Sequence, residues 1–173
     1  IVALSLQVSL TAVGLATLIG VPAGAALALW SFPGRRALIV LSSALMALPP
    51  VVVGLVVYLM LSRAGPLGPL GLLFTPTAMV VAQTLLVLPI LIALSRQVIL
   101  PLVREYDVLL TALDAGPWLR LTTVVWDARF GLITAVLAGF GRAMAEVGAV
   151  LIVGGNIAGV TRVMTTTIAL ETS

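Results

Sequence analysis

IVALSLQVSLTAVGLATLIGVPAGAALALWSFPG, residues 1–34, contains no charged side chain. The run exceeds the ~20 apolar residues needed to cross a hydrocarbon core of roughly 30 Å, so it reads as a membrane span rather than a soluble core helix. Two more charge-free runs follow, over residues 37–62 and 64–95. Spans are therefore expected near residues 3–30, 38–61 and 77–99. A fourth is expected over about 128–153, where Arg142 and Glu146 interrupt an otherwise apolar stretch. The predicted fold class is all-α, a polytopic transmembrane helical bundle.

Composition agrees with lipid as the main solvent. Of 173 residues, 61% are hydrophobic and 9% charged, against about 25% charged in soluble domains. The mean hydropathy is +1.27, which leaves too few polar side chains to coat a compact domain of this size. The basic charge comes entirely from arginine, and these arginines punctuate long uncharged runs instead of forming the basic face of a nucleic-acid binder. With neither Cys nor His, thiolate chemistry, imidazole acid–base catalysis and metal sites built on those side chains are absent. Ile1 opens inside an apolar run without the basic start of a signal peptide. Met164–Leu170 begins a further apolar segment too short to span. Sequence missing at both ends is expected.

Arginine also orients the chain. Arg35 and Arg36 follow the first span, and Arg96, Arg104, Arg120 and Arg129 lie around the connection between the third and fourth, whereas the alternate connections hold Arg63 and Arg162. Short Arg-rich loops stay in the cytoplasm, which places residue 1 outside and residues 100–127 inside. Residues 62–76, with Gly65-Pro66, Gly68-Pro69 and Gly71, read as an irregular outside loop. Within the spans, Pro22 and Pro89 read as packing kinks. Pro49-Pro50 either does the same or lines a pathway, because two adjacent prolines withdraw two amide donors from one span.

Residues 96–129 hold Arg96, Arg104, Glu105, Asp107, Asp114, Arg120, Asp127 and Arg129 together with two tryptophans. Val108, Leu109, Ala112 and Leu113 recur at helical spacing, and Gly116-Pro117 supplies a stop through a left-handed glycine cap. A second helix is expected from Trp118 through Val125. The unit, helix–turn–helix on the cytoplasmic side, is either an amphipathic hairpin resting at the headgroups on Trp118 and Trp126 or a docking knob for a cytosolic partner.

VLLTALDAGPWLRLTTVVW, residues 108–126, resembles the cytoplasmic coupling loop of ABC importer permeases, whose pattern is Glu-Ala-Ala, three residues, Gly, then an apolar run. Leu109 and Leu110 stand where the alanines are, and Asp114 where the glycine is. Val108 replaces the glutamate, with Glu105 and Asp107 just upstream. GRAMAEVGAVLIVGGNIAGVTRVMTTTIALETS, from Gly141 to the end, is similar to the molybdate, tungstate and sulfate branch of these permeases, nearest in wording to the tungstate type. ALPPVVVGLVVYLML from Ala47 and SLQVSLTAVGLATLIGVPAGAALAL from Ser5 extend the resemblance over essentially the whole chain.

The resemblance implies a single type I-like permease domain over residues 1–173, in the cytoplasmic (inner) membrane of a prokaryote. Its coupling residues would be Glu105, Asp107, Val108, Leu109, Ala112, Leu113, Asp114, Ala115 and Gly116. It further implies a cytosolic ABC ATPase subunit, a second permease copy forming a homodimer, an extracytoplasmic solute-binding protein and surrounding lipid. ATP and Mg would be bound by the ATPase, and no cofactor by this chain. No phosphate loop of the form GxxxxGK[ST] is possible without lysine.

Arg142 and Glu146 are four residues apart, close enough to pair on one helix, and charges at this depth should face protein or water. They read either as a self-neutralising pair that fixes helix rotation or as a border of the translocation pathway. Beyond the fourth span, Gly154-Gly155-Asn156 and Gly159 form a turn. Asn156 and the cation Arg162 could meet a binding protein or the anion, and Thr161, Thr165, Thr166 and Thr167 could do the same or serve as turn and cap residues. The pathway or gate candidates are thus Pro49, Pro50, Arg142, Glu146, Asn156 and Arg162. The function expected is the pore subunit of an ATP-driven importer for an oxyanion, tungstate first, with molybdate or sulfate as alternatives. A secondary transporter or channel would need intramembrane titratable groups along its route, and Glu146 alone fits. An intramembrane enzyme lacks a second mid-membrane carboxylate, His, Cys or Lys.

Overall fold

The computed structural model describes residues 1–171; Thr172 and Ser173, the last two residues of the C-terminal similarity run, lie outside the described residues. Among those described, every regular element is helical: α1 (Val2–Leu29), α2 (Arg35–Met46), α3 (Pro50–Leu61), α4 (Pro76–Ala112), α5 (Pro117–Asp127), α6 (Arg129–Met144), α7 (Gly148–Gly154) and α8 (Met164–Glu171), with one short 3-10 turn at Gly68–Leu70. Two helices, α1 and α4, are long and apolar enough to cross a membrane alone. The bent pairs α2–α3 and α5–α6 bring the total to as many as four spans.

α1 and α4 pack against each other along most of their length because small residues let their backbones approach. A Cβ added at Gly24 would lie 2.7 Å from the carbonyl oxygen of Ile92 and 2.7 Å from Ser95 Cβ, so only glycine fits there. Ala12, Ala16, Val87 and Leu91 are fully buried along the same seam. α4 starts cleanly: Pro76 sits at its first position, and the Thr75 hydroxyl accepts the Ala78 amide. With 37 residues it is about 55 Å long, well beyond the hydrocarbon thickness, so its last third projects from the bilayer.

The helices and the expected spans differ in their bounds. Residues 38–61 do not form one continuous helix, because α2 and α3 are separated at Ala47–Pro49 and bent by 103°. Pro49 is the N-cap of α3 and Pro50 its first residue. Their missing amides fall where a helix has no use for them, so they withdraw no donors from a span interior. The third span, expected at 77–99, lies within α4, which continues as a helix through Arg96, Arg104 and Glu105 to Ala112, since charge stops a hydrophobic run without stopping a helix. The expected fourth span is broken between Met144 and Gly148, which takes Glu146 out of the helix that carries Arg142.

α3 and α7, too short to cross alone, pack on each other. A Cβ at Gly54 would meet the Ala149 Cα at 2.6 Å, and both lie in an apolar cluster with Val57, Ala82, Leu86 and Val153 from α3, α4 and α7. A second cluster joins α1, α4, α5 and α6 through Ala28, Ile99, Leu110, Val124 and Leu132.

Candidate functional site: an elbow and a helix break

The end of α4, the turn after it and α5 form an elbow. α4 closes with paired hydrogen bonds, Ala115 N to Leu110 O at 2.9 Å and Asp114 N to Thr111 O at 3.1 Å, the pattern of a Schellman cap. The left-handed residue this cap demands is Asp114, at φ 48. The sequence reading assigned it to Gly116, which instead is the extended N-cap of α5. The family glycine aligned with Asp114 thus falls where a left-handed backbone favours glycine.

Arg120, absent from the residues singled out by sequence for coupling, braces the elbow. Its guanidinium donates to Ala115 O at 3.1 Å, Thr111 Oγ1 at 2.9 Å and Asp107 Oδ1 at 3.4 Å. Outside the bilayer, the Tyr106 hydroxyl is held above its usual range, first by its hydrogen bond to Asp127 and then by that carboxylate's charge. Arg129 donates to Trp126 O at 2.7 Å and lies over the rings of Trp126 and Phe130.

Leu110 and Val124 anchor the underside of the elbow in the cluster shared by α1, α4, α5 and α6. Its upper side is bare: Val108 is 81% exposed, Leu113 66% and Trp118 73%, with Leu109 and Leu119 over half exposed. Glu105, Asp107, Ala112, Asp114 and Gly116 are also exposed, and Ala115 is half-buried. The sequence-predicted coupling residues are therefore gathered in one place, as a rigid apolar cap with acidic neighbours.

The break between α6 and α7 centres on Glu146, whose side chain is 3% exposed. Its Oε2 accepts from Arg142 at 3.0 Å and its Oε1 from the Ala149 amide at 3.0 Å, while its main-chain carbonyl accepts from the Thr165 hydroxyl at 2.9 Å. The carboxylate thus caps α7 and ties the break to α8. Arg142, with a side chain 36% exposed, keeps part of its guanidinium in the surroundings. Beside the break is a cavity of about 70 Å³ lined by Ser5, Ser9, Gln83, Glu146 and Thr165. The Gln83 amide donates to Ala143 O at 3.1 Å, and its buried oxygen has no partner among the described residues.

The six pathway candidates do not converge. Pro50 and Glu146 are brought near one another, since Val51 packs on Gly148. Pro49 is exposed on the bend. Asn156, at φ 51, and Arg162 stand at the far turn, both half-buried. The threonines there act as caps and loop ties. Thr161 accepts from Ile157 N and donates to Gly154 O, and Thr166 at the start of α8 accepts from Val163 N. Among the described residues no cluster of metal-ligating side chains occurs.

The two long apolar helices and the two bent pairs, with a braced elbow at the end of α4, define a multi-pass helical membrane protein. No family model matches the sequence. A probable anion ABC transporter permease protein of Haloferax volcanii is 44% identical over 99% of this chain and 76% of its own length. The tungstate uptake system permease protein of Peptoclostridium acidaminophilum is 41% identical over the whole chain and 76% of its own length. A molybdenum transport system permease protein of Azotobacter vinelandii is 36% identical over 68% of this chain and 55% of its own. The chain belongs to the ABC transporter permease family, in the branch that includes tungstate and molybdenum permeases. It is a multi-pass membrane transport subunit and not an enzyme.

Proposed function

We propose that this permease carries a tetrahedral oxyanion, tungstate first and molybdate or sulfate next, into the cytoplasm, and that the elbow over residues 105–122 receives the ATPase that powers it. The bare apolar cap of Val108, Leu109, Leu113 and Leu119 carries the reading: four large aliphatic groups stand exposed on a hydrogen-bonded scaffold, where a helix too long for the bilayer ends and turns into α5. Such a patch is rarely left open in a finished assembly. ATP and Mg belong to the docked partner. A second copy of the permease completes the conduit, and an external binding protein delivers the anion.

Closure of the ATPase pair moves the two elbows. Because each elbow is continuous with α4 and joins α6 through α5, the motion reaches the helices that meet at the Glu146 break and switches the pathway between outward and inward states. Arg142 near the break offers a passing dianion a cation, and Glu146 beside it keeps the attraction weak enough for release.

Co-purification tests this. Leu113→Arg or Leu109→Arg in the full assembly is expected to shed the ATPase while the permease still inserts. Retention of the ATPase by both variants would overturn the docking assignment. Tungstate, molybdate and sulfate affinities of the binding protein partner then rank the cargo.

A further inference from the structure

Between α1, α2 and α4 lies an apolar cleft of about 350 Å³, walled by Ala23 and Leu27 of α1, Leu41 and Leu45 of α2, and Leu88 and Ile92 of α4. Ser42 also lines it, but its hydroxyl donates to Ile39 O at 3.0 Å and turns no polar group inward. Leu38, Leu41 and Leu45, all on the α2 wall, are 39% to 52% exposed, so the slot is open along one side. Arg35 opens the same helix face, one turn before Leu38 and two before Ser42. From Arg35 to Leu45 the slot runs about 15 Å, half of the roughly 30 Å hydrocarbon core. That length matches one extended acyl-chain layer's share of the core, about half its span.

The mouth is cationic. Ser31, Phe32, Gly34, Arg35 and Arg36 line a hollow that shares Phe32 with the slot. Arg35 Nε donates to Leu27 O at 2.7 Å, which holds the guanidinium at the lip between α1 and α2. Arg36 is exposed, and among the described residues neither arginine has a carboxylate partner. Both occupy the first turn of α2, whose cap Gly34 supplies no side-chain acceptor. Two cations at the positive end of a helix dipole repel it, and an anion at that position relieves both. By the arginine count, this mouth faces the cytoplasmic leaflet, where anionic lipids concentrate.

We infer that the α1–α2–α4 slot is a binding site for an anionic glycerophospholipid, with the phosphate on Arg35 and Arg36 and one acyl chain lying between Leu27, Leu41, Leu45 and Leu88. A small soluble anion answers the mouth and leaves the apolar slot unfilled. A zwitterionic lipid fills the slot and leaves the two guanidinium charges unbalanced. The lipid then holds α2 against α1 and α4, where the slot stands open.

Native mass spectrometry on the complete permease, offered dioleoyl phosphatidylglycerol or dioleoyl phosphatidylcholine, tests the site. At the energy a surface arginine gives an anionic headgroup, the pair confers a preference on the order of 30-fold for phosphatidylglycerol. Arg36→Gln, which breaks no contact, is expected to cut that preference about 5-fold, and Arg35→Gln with Arg36→Gln to abolish it. Leu41→Trp, which fills the slot, is expected to reduce retention of both lipids. A wild type without preference, an unchanged preference in the double variant, or displacement of the lipid by millimolar inorganic phosphate would overturn the assignment. So would ready disulfide formation between two copies of Leu41→Cys that the wild type does not show, because a second copy would then cover the slot.

Discussion

Removing Arg142 should cost the protein more than removing Glu146, and the second removal should rescue part of the first. Arg142→Ala leaves the Glu146 carboxylate, 3% exposed, with the Ala149 amide as its remaining side-chain donor. Stranding a buried charge in this way costs about 3–5 kcal/mol. Glu146→Ala leaves a guanidinium that is 36% exposed and can find other partners, so the loss is chiefly the uncapped Ala149 amide, about 1–3 kcal/mol. In the double variant no carboxylate remains to strand, and the total should stay near that of Glu146→Ala alone. The cycle therefore predicts a coupling energy of about 3–5 kcal/mol, the full cost of Arg142→Ala. Thermal unfolding of the four proteins in one detergent reads it out, with Arg142→Ala lowest by about 10 °C, given roughly 2–4 °C per kcal/mol at this size. Strict additivity of the two losses would refute the idea that this pair neutralises itself in a low-dielectric setting. Glu146→Gln keeps an oxygen for Ala149 and loses only the charge, so a fall in transport at unchanged unfolding temperature would assign the charge to the pathway.

At the elbow, Asp114→Gly should raise stability by about 1 kcal/mol because glycine adopts φ 48 without strain, and Asp114→Val should lower it by more, both read by thermal unfolding of the intact permease. Gly54→Ala forces a methyl to within 2.6 Å of the Ala149 backbone and should destabilise by about 1–3 kcal/mol, while Gly14→Ala, with open space around its added Cβ, should not. Arg120→Ala removes three contacts that brace the elbow, and should uncouple ATP hydrolysis from uptake with little effect on insertion; equal uptake per ATP in the variant would show the brace to be idle.

The membrane class was legible at once, since three runs without a charge admit no soluble packing, and the long helices α1 and α4 lie where those runs lie. The breaks were harder to see. Pro49-Pro50 carried a readable signal, a proline suited to the first position of a helix, which hydropathy over a long window averages away. The break at Glu146 had no comparable local signal. It is held by Ala149 on one side and by Thr165 nineteen residues on, and a contact at that separation cannot be read from spacing. The Arg142–Glu146 pair itself was legible, because side chains four apart still meet when the first ends a helix and the second follows it. Arg120 escaped notice because its three partners come together only when the turn closes. Asp114 escaped for a related reason, as glycine was the more obvious candidate for a left-handed residue.

The two breaks become one feature once the packing is considered. α3 begins at Pro50 just after the first break, α7 begins at Gly148 just after the second, and Val51 rests on Gly148 where they start. From there Gly54 and Ala149 interlock so closely that neither helix can slide on the other. α1 and α4 approach closely at Gly20 and Gly24, and α4 also packs on α3 and α7 through Ala82 and Leu86. Each of α3 and α7 is short and enters from a non-helical segment, at residues 47–49 and 145–147, where small backbone changes are least constrained by helix hydrogen bonds. The charge that caps α7 sits in one of those segments. Under the proposed function, a push that enters through α5 and α6 reaches α7 past Arg142 and Glu146, whereas one carried along α4 reaches α3 and α7 directly through Ala82 and Leu86.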